Sequence, residues 1–293
     1  MNVIEMVGID KSYGQVKALQ DMCLTVPAGS IFGLMGPNGA GKTTSIKLML
    51  GLMEPTAGSL TVLGVVPTGD GTVLRRRIGF VPEDFSLYPQ MTGFEILQFN
   101  ARLYGCSVDE NVRRLQTVFE LPLPRRISTY SKGMRKLLGL YIALSTEPEL
   151  LILDEPTDGL DPVVRSHFLG VLADETSRRN LTVFFSSHIL SEVEKICDTV
   201  AFMRSGHTVL QDEVESIKSQ YRVYTVRFEA GHSLRDVKGI TIQRERSLGP
   251  DTWDVEAMAD QEQARSAFAD AGGVVLNMQS LPFDEIFLRF VEA

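Results

Sequence analysis

A glycine-rich segment near the amino terminus, Gly36-Pro37-Asn38-Gly39-Ala40-Gly41-Lys42-Thr43, is the feature that most constrains the fold of this chain. It fits the pattern G-x-x-x-x-G-K-[ST], in which a glycine loop joins a strand to a helix. The apolar run before it, residues 30–35, is typical of a buried strand, and residues 44–50 have an unbroken helical pattern. The sequence therefore predicts a strand, loop and helix that together cradle the phosphates of a nucleoside triphosphate.

The residue types in this loop suit that chemistry. Gly39 and Gly41 allow the backbone to turn its N–H groups toward an anion, and the following helix adds the partial positive charge of its N-terminus. Lys42 can reach the β- and γ-phosphates, and the hydroxyl of Thr43 can ligate Mg²⁺. We therefore expect this loop to bind a triphosphate together with Mg²⁺.

The composition indicates an ordinary globular protein of about two domains. The chain has 293 residues, of which 44% are hydrophobic and 23% charged, and one core typically serves roughly 100–200 residues. Its net charge of −8 argues against a general nucleic-acid binder, which is usually basic.

The three cysteines, Cys23, Cys106 and Cys197, are widely separated, so a reducing compartment is expected. No run approaches the ~18–20 apolar residues of a membrane-spanning helix, so any span is expected on a separate chain.

Two further apolar runs lead into charged or polar side chains. Leu150-Leu151-Ile152-Leu153 is typical of a strand buried on both faces, and Asp154 and Glu155 follow it. Carboxylates at the C-terminal end of such a strand lie beside the phosphate loop. There Asp154 can hold the Mg²⁺ shell, and Glu155 can orient or deprotonate the attacking water. His188 follows the run Thr182-Val183-Phe184-Phe185, where its side chain could reach the γ-phosphate.

Strand-like and helical segments alternate along the chain, which predicts a mostly parallel sheet covered by helices. Helical patterns run from Thr92 to about Leu121 and from Val163 to Arg179, whereas Pro55-Thr56-Ala57-Gly58-Ser59 is typical of a turn. We place a domain boundary near residue 215. The tail beyond it has the pattern strand, short helical piece, strand, strand, helix, strand and helix, which favours a small α+β domain of ferredoxin-like type.

With these motifs in this order, residues 3 to about 213 resemble the nucleotide-binding subunit of an ATP-binding cassette (ABC) transporter. The resemblance implies an α/β fold of the P-loop NTPase type, in which a nucleotide-binding domain of residues 1–215 contains a helical subdomain at about 84–148. Residues 216–293 would form a C-terminal accessory domain. ATP is then expected to contact Tyr13, Gly36, Asn38, Gly39, Gly41, Lys42, Thr43, Thr44, Ser131, Gly133 and Asp161. The residues expected to act in catalysis are Glu155 and His188, and those expected to ligate Mg²⁺ are Thr43, Glu83 and Asp154.

The signature motif of the family is matched by Tyr130-Ser131-Lys132-Gly133-Met134, which precedes a helical stretch. Ser131 and the N–H group of Gly133 would therefore stand at a helix N-terminus. In the family this motif contacts the γ-phosphate that the opposite subunit holds. The resemblance thus implies a head-to-tail dimer with a second copy of the chain or with a homologous subunit.

Two features depart from the commonest family pattern. Lys132 and Met134 stand where glycine and glutamine are usual. Glu83 stands where the family usually has a glutamine that ligates Mg²⁺ and senses the membrane partner. A carboxylate ligates Mg²⁺ at least as well as a carboxamide, and its added negative charge beside Glu155 is expected to alter the rate of hydrolysis rather than the reaction.

The resemblance also implies a setting. The chain would be an ATPase subunit at the cytoplasmic, inner face of a bacterial membrane, where it would power a separate integral-membrane permease, with export as the direction. The family's groove for a permease helix matches an aromatic-rich segment at 84–105, so some of its rings should be exposed: Phe85, Leu87, Tyr88, Phe94 and Phe99. The alternative is a soluble ABC ATPase that acts on ribosomes or DNA. The single cassette, without a charged linker or a coiled-coil insertion, counts against it, and no nucleic-acid partner is expected.

Overall fold

The computed structural model describes residues 1–69, 71–84, 86–107 and 109–291. These residues form two compact units that divide after Gln211. The first nine strands are β1 (Asn2–Tyr13), β2 (Val16–Pro27), β3 (Ile31–Met35), β4 (Ala57–Val62), β5 (Ile78–Val81), β6 (Leu150–Asp154), β7 (Thr182–Ser187), β8 (Thr199–Arg204) and β9 (His207–Glu213). The first seven helices are α1 (Lys42–Met49), α2 (Thr72–Arg75), α3 (Gly93–Tyr104), α4 (Asp109–Phe119), α5 (Lys132–Ser145), α6 (Pro162–Arg179) and α7 (Leu190–Ile196). Within the described residues, no helix has both the length and the apolar character needed to cross a bilayer.

A six-stranded sheet with the order β5-β6-β7-β3-β8-β9 lies at the centre of the first unit. The first five of these strands pair in parallel, so their carboxyl ends meet at one edge of the sheet. Leu150, Ile152 and Phe184 are completely buried, as expected for strands covered on both faces. The prediction of a mostly parallel sheet is confirmed. Its register places Asp154 opposite Ser186 and so brings the segments after β3, β6 and β7 together.

A second sheet, β2-β1-β4, is antiparallel and corrects one expectation from the sequence. The turn expected over residues 55–59 is wrong in its second half, because β4 begins at Ala57 and Ser59 pairs with Val7. Gly58 permits the close approach of the two strands, since a Cβ atom there would lie 2.2 Å from the carbonyl oxygen of Gly8. Long-range strand pairing thus overrides the local turn preference of this segment.

Helices α3, α4 and α5 occupy the connection between β5 and β6, in agreement with the helical pattern from Thr92 onward. Thr92 caps α3: its hydroxyl accepts from the N–H group of Glu95, and the Glu95 carboxylate accepts from the N–H group of Thr92. Ser131 caps α5 by accepting from the N–H group of Met134 over 3.1 Å. The connection therefore places the signature residues at the start of a 14-residue helix.

The second unit contains an antiparallel sheet with the order β11-β12-β10-β13. After α8 (Val214–Gln220), its elements follow the order that the tail pattern predicts: β10 (Tyr221–Phe228), the 3₁₀ turn Leu234–Asp236, β11 (Thr241–Ser247), β12 (Thr252–Met258), α9 (Gln261–Asp270), β13 (Gly273–Ser280) and α10 (Phe283–Val291). Helix α9 packs Phe268 against Tyr224 of β10, with ring centroids 5.3 Å apart. The ferredoxin-like type stays a prediction, because the first crossover holds only the 3₁₀ turn Leu234–Asp236 where that fold has a helix.

Candidate active site

The phosphate loop connects β3 to α1 and leaves the N-terminus of that helix without a side-chain cap. Gly41 occupies the N-cap position with a left-handed backbone, φ +109°. A Cβ atom at this position would lie 2.7 Å from Cδ2 of Leu19 and 2.8 Å from the carbonyl oxygen of Ala18, so only glycine fits. The N–H groups of the first helical turn therefore face the loop without a competing side chain, which is the arrangement that binds an anion.

Lys42 supplies the positive charge of the loop from a nearly buried position. Its side chain is 7% exposed, and Nζ donates to the carbonyl oxygen of Gly36 over 2.7 Å. The same ammonium lies 3.3 Å from Oε1 of Glu155. Because a buried ammonium requires partners, these contacts hold the charge between the loop and the carboxylate that follows β6.

A chain of hydrogen bonds joins the first residue after Lys42 to the end of β6. The hydroxyl of Thr43 donates to Oδ2 of Asp154 over 2.9 Å, and the hydroxyl of Ser186 donates to Oδ1 over 2.6 Å. A hydroxyl beside a carboxylate is a donor set that Mg²⁺ accepts, because this ion usually takes one or two carboxylates and completes its shell with water and substrate phosphates. No group of three or more His, Cys, Asp or Glu side chains placed to hold a metal occurs among the described residues.

Glu155 and His188 form the second polar contact at this edge of the sheet. Oε2 of Glu155 lies 2.8 Å from Nδ1 of His188 and accepts from its backbone N–H group over 3.3 Å. This contact leaves Nε2 as the ring nitrogen available to a phosphate. The carboxylate of Glu155 thus touches both Lys42 and His188, and it is placed to act on a water molecule beside the γ-phosphate.

A single cavity of about 550 Å³ brings most of the predicted residues together. Of the residues proposed from the sequence, those that line it are Asn38, Gly39, Gly41, Lys42, Thr43, Thr44, Glu83, Glu155 and His188. Gly36 contributes through its carbonyl contact with Lys42, and Asp154 through its contact with Thr43. Glu83, the departure from the family pattern, therefore lies in the same cavity as the phosphate loop.

Besides Gly36 and Asp154, four more predicted residues lie outside this cavity lining. The ring of Tyr13 is beneath the ammonium of Lys11, 5.6 Å from the centroid, and its hydroxyl contacts Met53. Asp161 caps α6 through hydrogen bonds to two backbone N–H groups. Ser131 and Gly133 stand at the start of α5. Asp161 and Ser131 each accept hydrogen bonds at the start of their own helix. Tyr13, Ser131, Gly133 and Asp161 are all absent from the cavity that contains the phosphate loop of the same chain.

Sequence reasoning missed several polar residues that support the site. Asp158 lines the cavity and pairs with Lys132 over 2.6 Å. Glu192 is 2% exposed and accepts from the hydroxyls of Thr157 and Ser187. Burial raises the pKa of Glu192, while these two hydroxyls and Arg165 favour its charged form. The one sequence signal for Glu192 was its acidic side chain in the helical pattern just after His188. Its contact with Thr157 spans 35 residues of sequence, so local patterns did not indicate it.

Comparisons with known proteins agree with this geometry. Residues 19–158 match the family model described as "ABC transporter". The chain is 39% identical to the bacitracin transport ATP-binding protein BcrA of Enterococcus faecalis, over 76% of this chain and 73% of that protein. It is 31% identical to the linearmycin resistance ATP-binding protein LnrL of Bacillus subtilis strain 168, over 97% and 94% of the two chains.

A solved structure described as the ATP binding subunit of an ABC transporter is 31% identical, with a TM-score of 0.67 over 74% of this chain and 92% of the other. The phosphate loop, the carboxylates after β6 and the histidine after β7 thus occur on the fold of that family, in a chain that resembles its members over almost its whole length. The chain belongs to the ABC transporter family, and it is one of the ATP-binding subunits that hydrolyse ATP.

Proposed function

We propose that this chain is the ATPase subunit of a bacterial ABC exporter and that it powers a separate permease in the membrane. One observation carries the proposal: the Glu155 carboxylate contacts Lys42 and His188 in the cavity that contains the phosphate loop. The names of BcrA and LnrL, which refer to bacitracin transport and linearmycin resistance, support export as the direction. The subunit would lie on the cytoplasmic face of the membrane, held there by the permease. Neither name supports the alternative of a soluble ATPase on ribosomes or DNA.

Each side chain at the cavity has one task in the proposed reaction. The N–H groups of the loop and Lys42 hold the β- and γ-phosphates. Glu155 orients the attacking water and accepts its proton. His188, with both ring nitrogens protonated, donates from Nδ1 to Glu155 and from Nε2 to the γ-phosphate.

Thr43, Asp154 and Glu83 are the residues that would hold Mg²⁺. Asp154 is 2% exposed and already accepts from Thr43, so it would act through the metal's water shell, whereas Glu83 is exposed on the cavity wall. The ion, when bound, neutralises negative charge on the β- and γ-phosphate oxygens. The role of the chain's own residues is to hold the ion beside the phosphate loop.

A second subunit is proposed to complete the site. Ser131 and Gly133 stand at the N-terminus of α5, which favours anions, yet they do not line the cavity of their own chain. In a head-to-tail dimer of two copies, or of this chain and a homologous subunit, each signature would face the γ-phosphate on the other subunit. Tyr13 would stack on adenine and Asp161 would contribute at the subunit interface, both as expected from the family.

Mixing two inactive variants tests this composite site. Ser131→Asp keeps a residue that caps a helix equally well but places a carboxylate against the γ-phosphate, while Lys42→Ala removes the loop's cation. We expect each variant alone to be inactive and their mixture to recover roughly a quarter of wild-type turnover, because half of randomly mixed dimers would contain one intact site of two. ATPase activity of the mixture, with each variant at double concentration as control, is the measurement. A mixture as inactive as its components would contradict a site built from two chains.

The permease is proposed to bind at exposed aromatic side chains around α3. Tyr88, Phe94 and Phe99 are 60%, 46% and 48% exposed, which confirms the expectation that some of these rings are exposed. Leu87 is half-buried, and Phe85 lies outside the described residues. The rings of Tyr88 and Phe99 meet edge to face with centroids 6.2 Å apart. An apolar patch of this kind suits a helix of a partner protein.

Copurification tests the partner. We expect the tagged chain to retain a membrane protein with about six apolar spans of ~20 residues, encoded by a neighbouring gene and expressed with it. Phe99→Asp should lower the retained amount at least about fivefold, because a carboxylate would be buried at the contact, while the basal ATPase rate stays unchanged. Val7→Asp, at a residue 58% exposed on β1, is the matched control. Equal retention by both variants would place the contact elsewhere, and failure of the wild type to retain any such protein would contradict the transporter proposal.

A further inference from the structure

The backbone of Glu155 has a conformation that needs support. Its φ is +45°, in the left-handed region that residues with a Cβ atom rarely adopt. Its N–H group lies 3.1 Å from the hydroxyl of Ser186 and 3.2 Å from the carbonyl oxygen of the same residue. These contacts fix one side of the Glu155 backbone from β7.

A buried lysine fixes the other side. The ammonium of Lys136 donates to the carbonyl oxygen of Glu155 over 2.5 Å. Lys136 is the fifth residue of α5, counted from Lys132, and it is 2% exposed. The contact therefore joins the helix that carries the signature motif to the backbone of the residue that carries the proposed catalytic base.

Packing alone does not account for a lysine at this position. An ammonium that loses its water costs free energy, and buried ion pairs can often be replaced as a whole by apolar side chains of similar volume without loss of stability. Burial lowers the pKa of Lys136, and the carboxylates of Asp158, Glu83 and Asp84 oppose this effect. The acidic groups around the ammonium thus favour its charged form.

The surrounding charges also connect two departures from the family pattern. A cavity of about 400 Å³ is lined by Glu83, Asp84 and Ser86 from the segment after β5 and by Lys132, Arg135 and Lys136 from α5. Glu83, which replaces the usual glutamine, thus faces the same cavity as Lys132, which replaces a usual glycine. The added negative charge and the added positive charge line the same cavity as Lys136, and the two charges attract each other.

We propose that Lys136 is a positioning residue for ATP hydrolysis: from the signature helix it fixes the carbonyl of Glu155 and thereby directs the Glu155 carboxylate toward the attacking water. This inference rests on the proposed role of Glu155 as the base. A shift of α5 relative to β6 would be transmitted to the Glu155 carboxylate through this contact. Hydrolysis would then depend on the position of the helix whose N-terminus faces the partner subunit.

Lys136→Met tests the proposal, because methionine keeps the length and bulk of the side chain but cannot donate a hydrogen bond. We expect kcat to fall about tenfold or more, with KM for ATP and ATP affinity within about threefold, because the residues that bind phosphate are unchanged. The melting temperature should fall by no more than a few degrees, because the Glu155 carbonyl loses its donor while the bulk of the side chain is kept. A residue with only a structural role would lower the melting temperature and leave kcat of the folded enzyme unchanged. Lys47→Met, the same change at an exposed lysine of α1, is the control for kcat.

A double variant separates this proposal from the assignment of the base. If Lys136 acts through Glu155, Lys136→Met should slow single-turnover hydrolysis by less than about twofold in a chain that already carries Glu155→Gln. Wild-type kcat in Lys136→Met, or an equal further loss in the double variant, would overturn the positioning role while leaving the base assignment intact. Normal turnover in Glu155→Gln alone would overturn the base assignment itself, and that result does not depend on Lys136.

Discussion

Glu155→Gln is expected to bind ATP and to lose most of its hydrolysis, with a fall in kcat of roughly 10²–10⁴-fold. Glutamine has the size of glutamate and can keep the 2.8 Å contact to Nδ1 of His188, so the site keeps its shape. An amide cannot accept the proton of the attacking water, however, and the reaction loses its base. The change also removes a negative charge that lies 3.3 Å from Nζ of Lys42, so the affinity for the anionic phosphates should stay equal or rise.

Loss of hydrolysis with intact binding should also trap the dimer. ATP held between two subunits would persist, so light scattering with ATP and Mg²⁺ should report a species of twice the monomer mass that the wild type forms only transiently. Single-turnover hydrolysis and a nucleotide-binding titration complete the measurement. Glu215→Gln, an exposed residue on α8 that pairs with Lys218, is the matched control and should behave as wild type. Unaltered turnover in Glu155→Gln would refute the role of this carboxylate as the base.

Lys42→Ala is expected to abolish measurable nucleotide binding, with a fall in ATP affinity of about 100-fold or more. The ammonium is the cation of the phosphate loop and makes charge-assisted contacts that contribute about 1.5–3 kcal/mol each, and every 1.4 kcal/mol is about tenfold in affinity. Its loss also leaves Glu155 without its 3.3 Å partner, so the carboxylate would repel the phosphates.

An exposed lysine on the same helix provides the control for this variant. Lys47→Ala removes an equal charge from α1 at a position that faces solvent, and ATP affinity should stay within about twofold. Binding is best measured by calorimetric titration, and a melting curve for each variant checks that the chain is folded. Undiminished ATP affinity in Lys42→Ala would overturn the assignment of the phosphate loop.

Local patterns in the sequence were sufficient for elements whose structure depends on their own residues. The apolar run at Leu150 predicts β6 because a strand covered on both faces needs continuous apolar side chains. The phosphate loop is equally local, since Gly41 and Lys42 act through backbone conformation and helix geometry. Ser131 and Asp161 were found by family resemblance, whereas their capping contacts became visible only in the fold.

Contacts between distant segments could not be predicted in this way. The turn expected at Ala57 became part of β4, because pairing with β1 satisfies its backbone. Glu192 meets Thr157 across 35 residues of sequence, and its helical pattern alone did not indicate a buried carboxylate. The second unit followed its predicted element order, including the short helical piece at Leu234–Asp236, yet its strand order β11-β12-β10-β13 depends on pairing between distant segments.

By itself the sequence determined that this protein binds a nucleoside triphosphate, because a glycine loop, a lysine and a helix N-terminus occur within eight consecutive residues. Only the tertiary structure decided how that loop is connected to the rest of the site. Thr43 reaches Asp154 across 111 positions of sequence, and Lys136 reaches the Glu155 carbonyl from a different helix. The physical reason is that a helix or loop is specified by its own residues, whereas the parallel sheet brings together strand ends that are far apart in the chain.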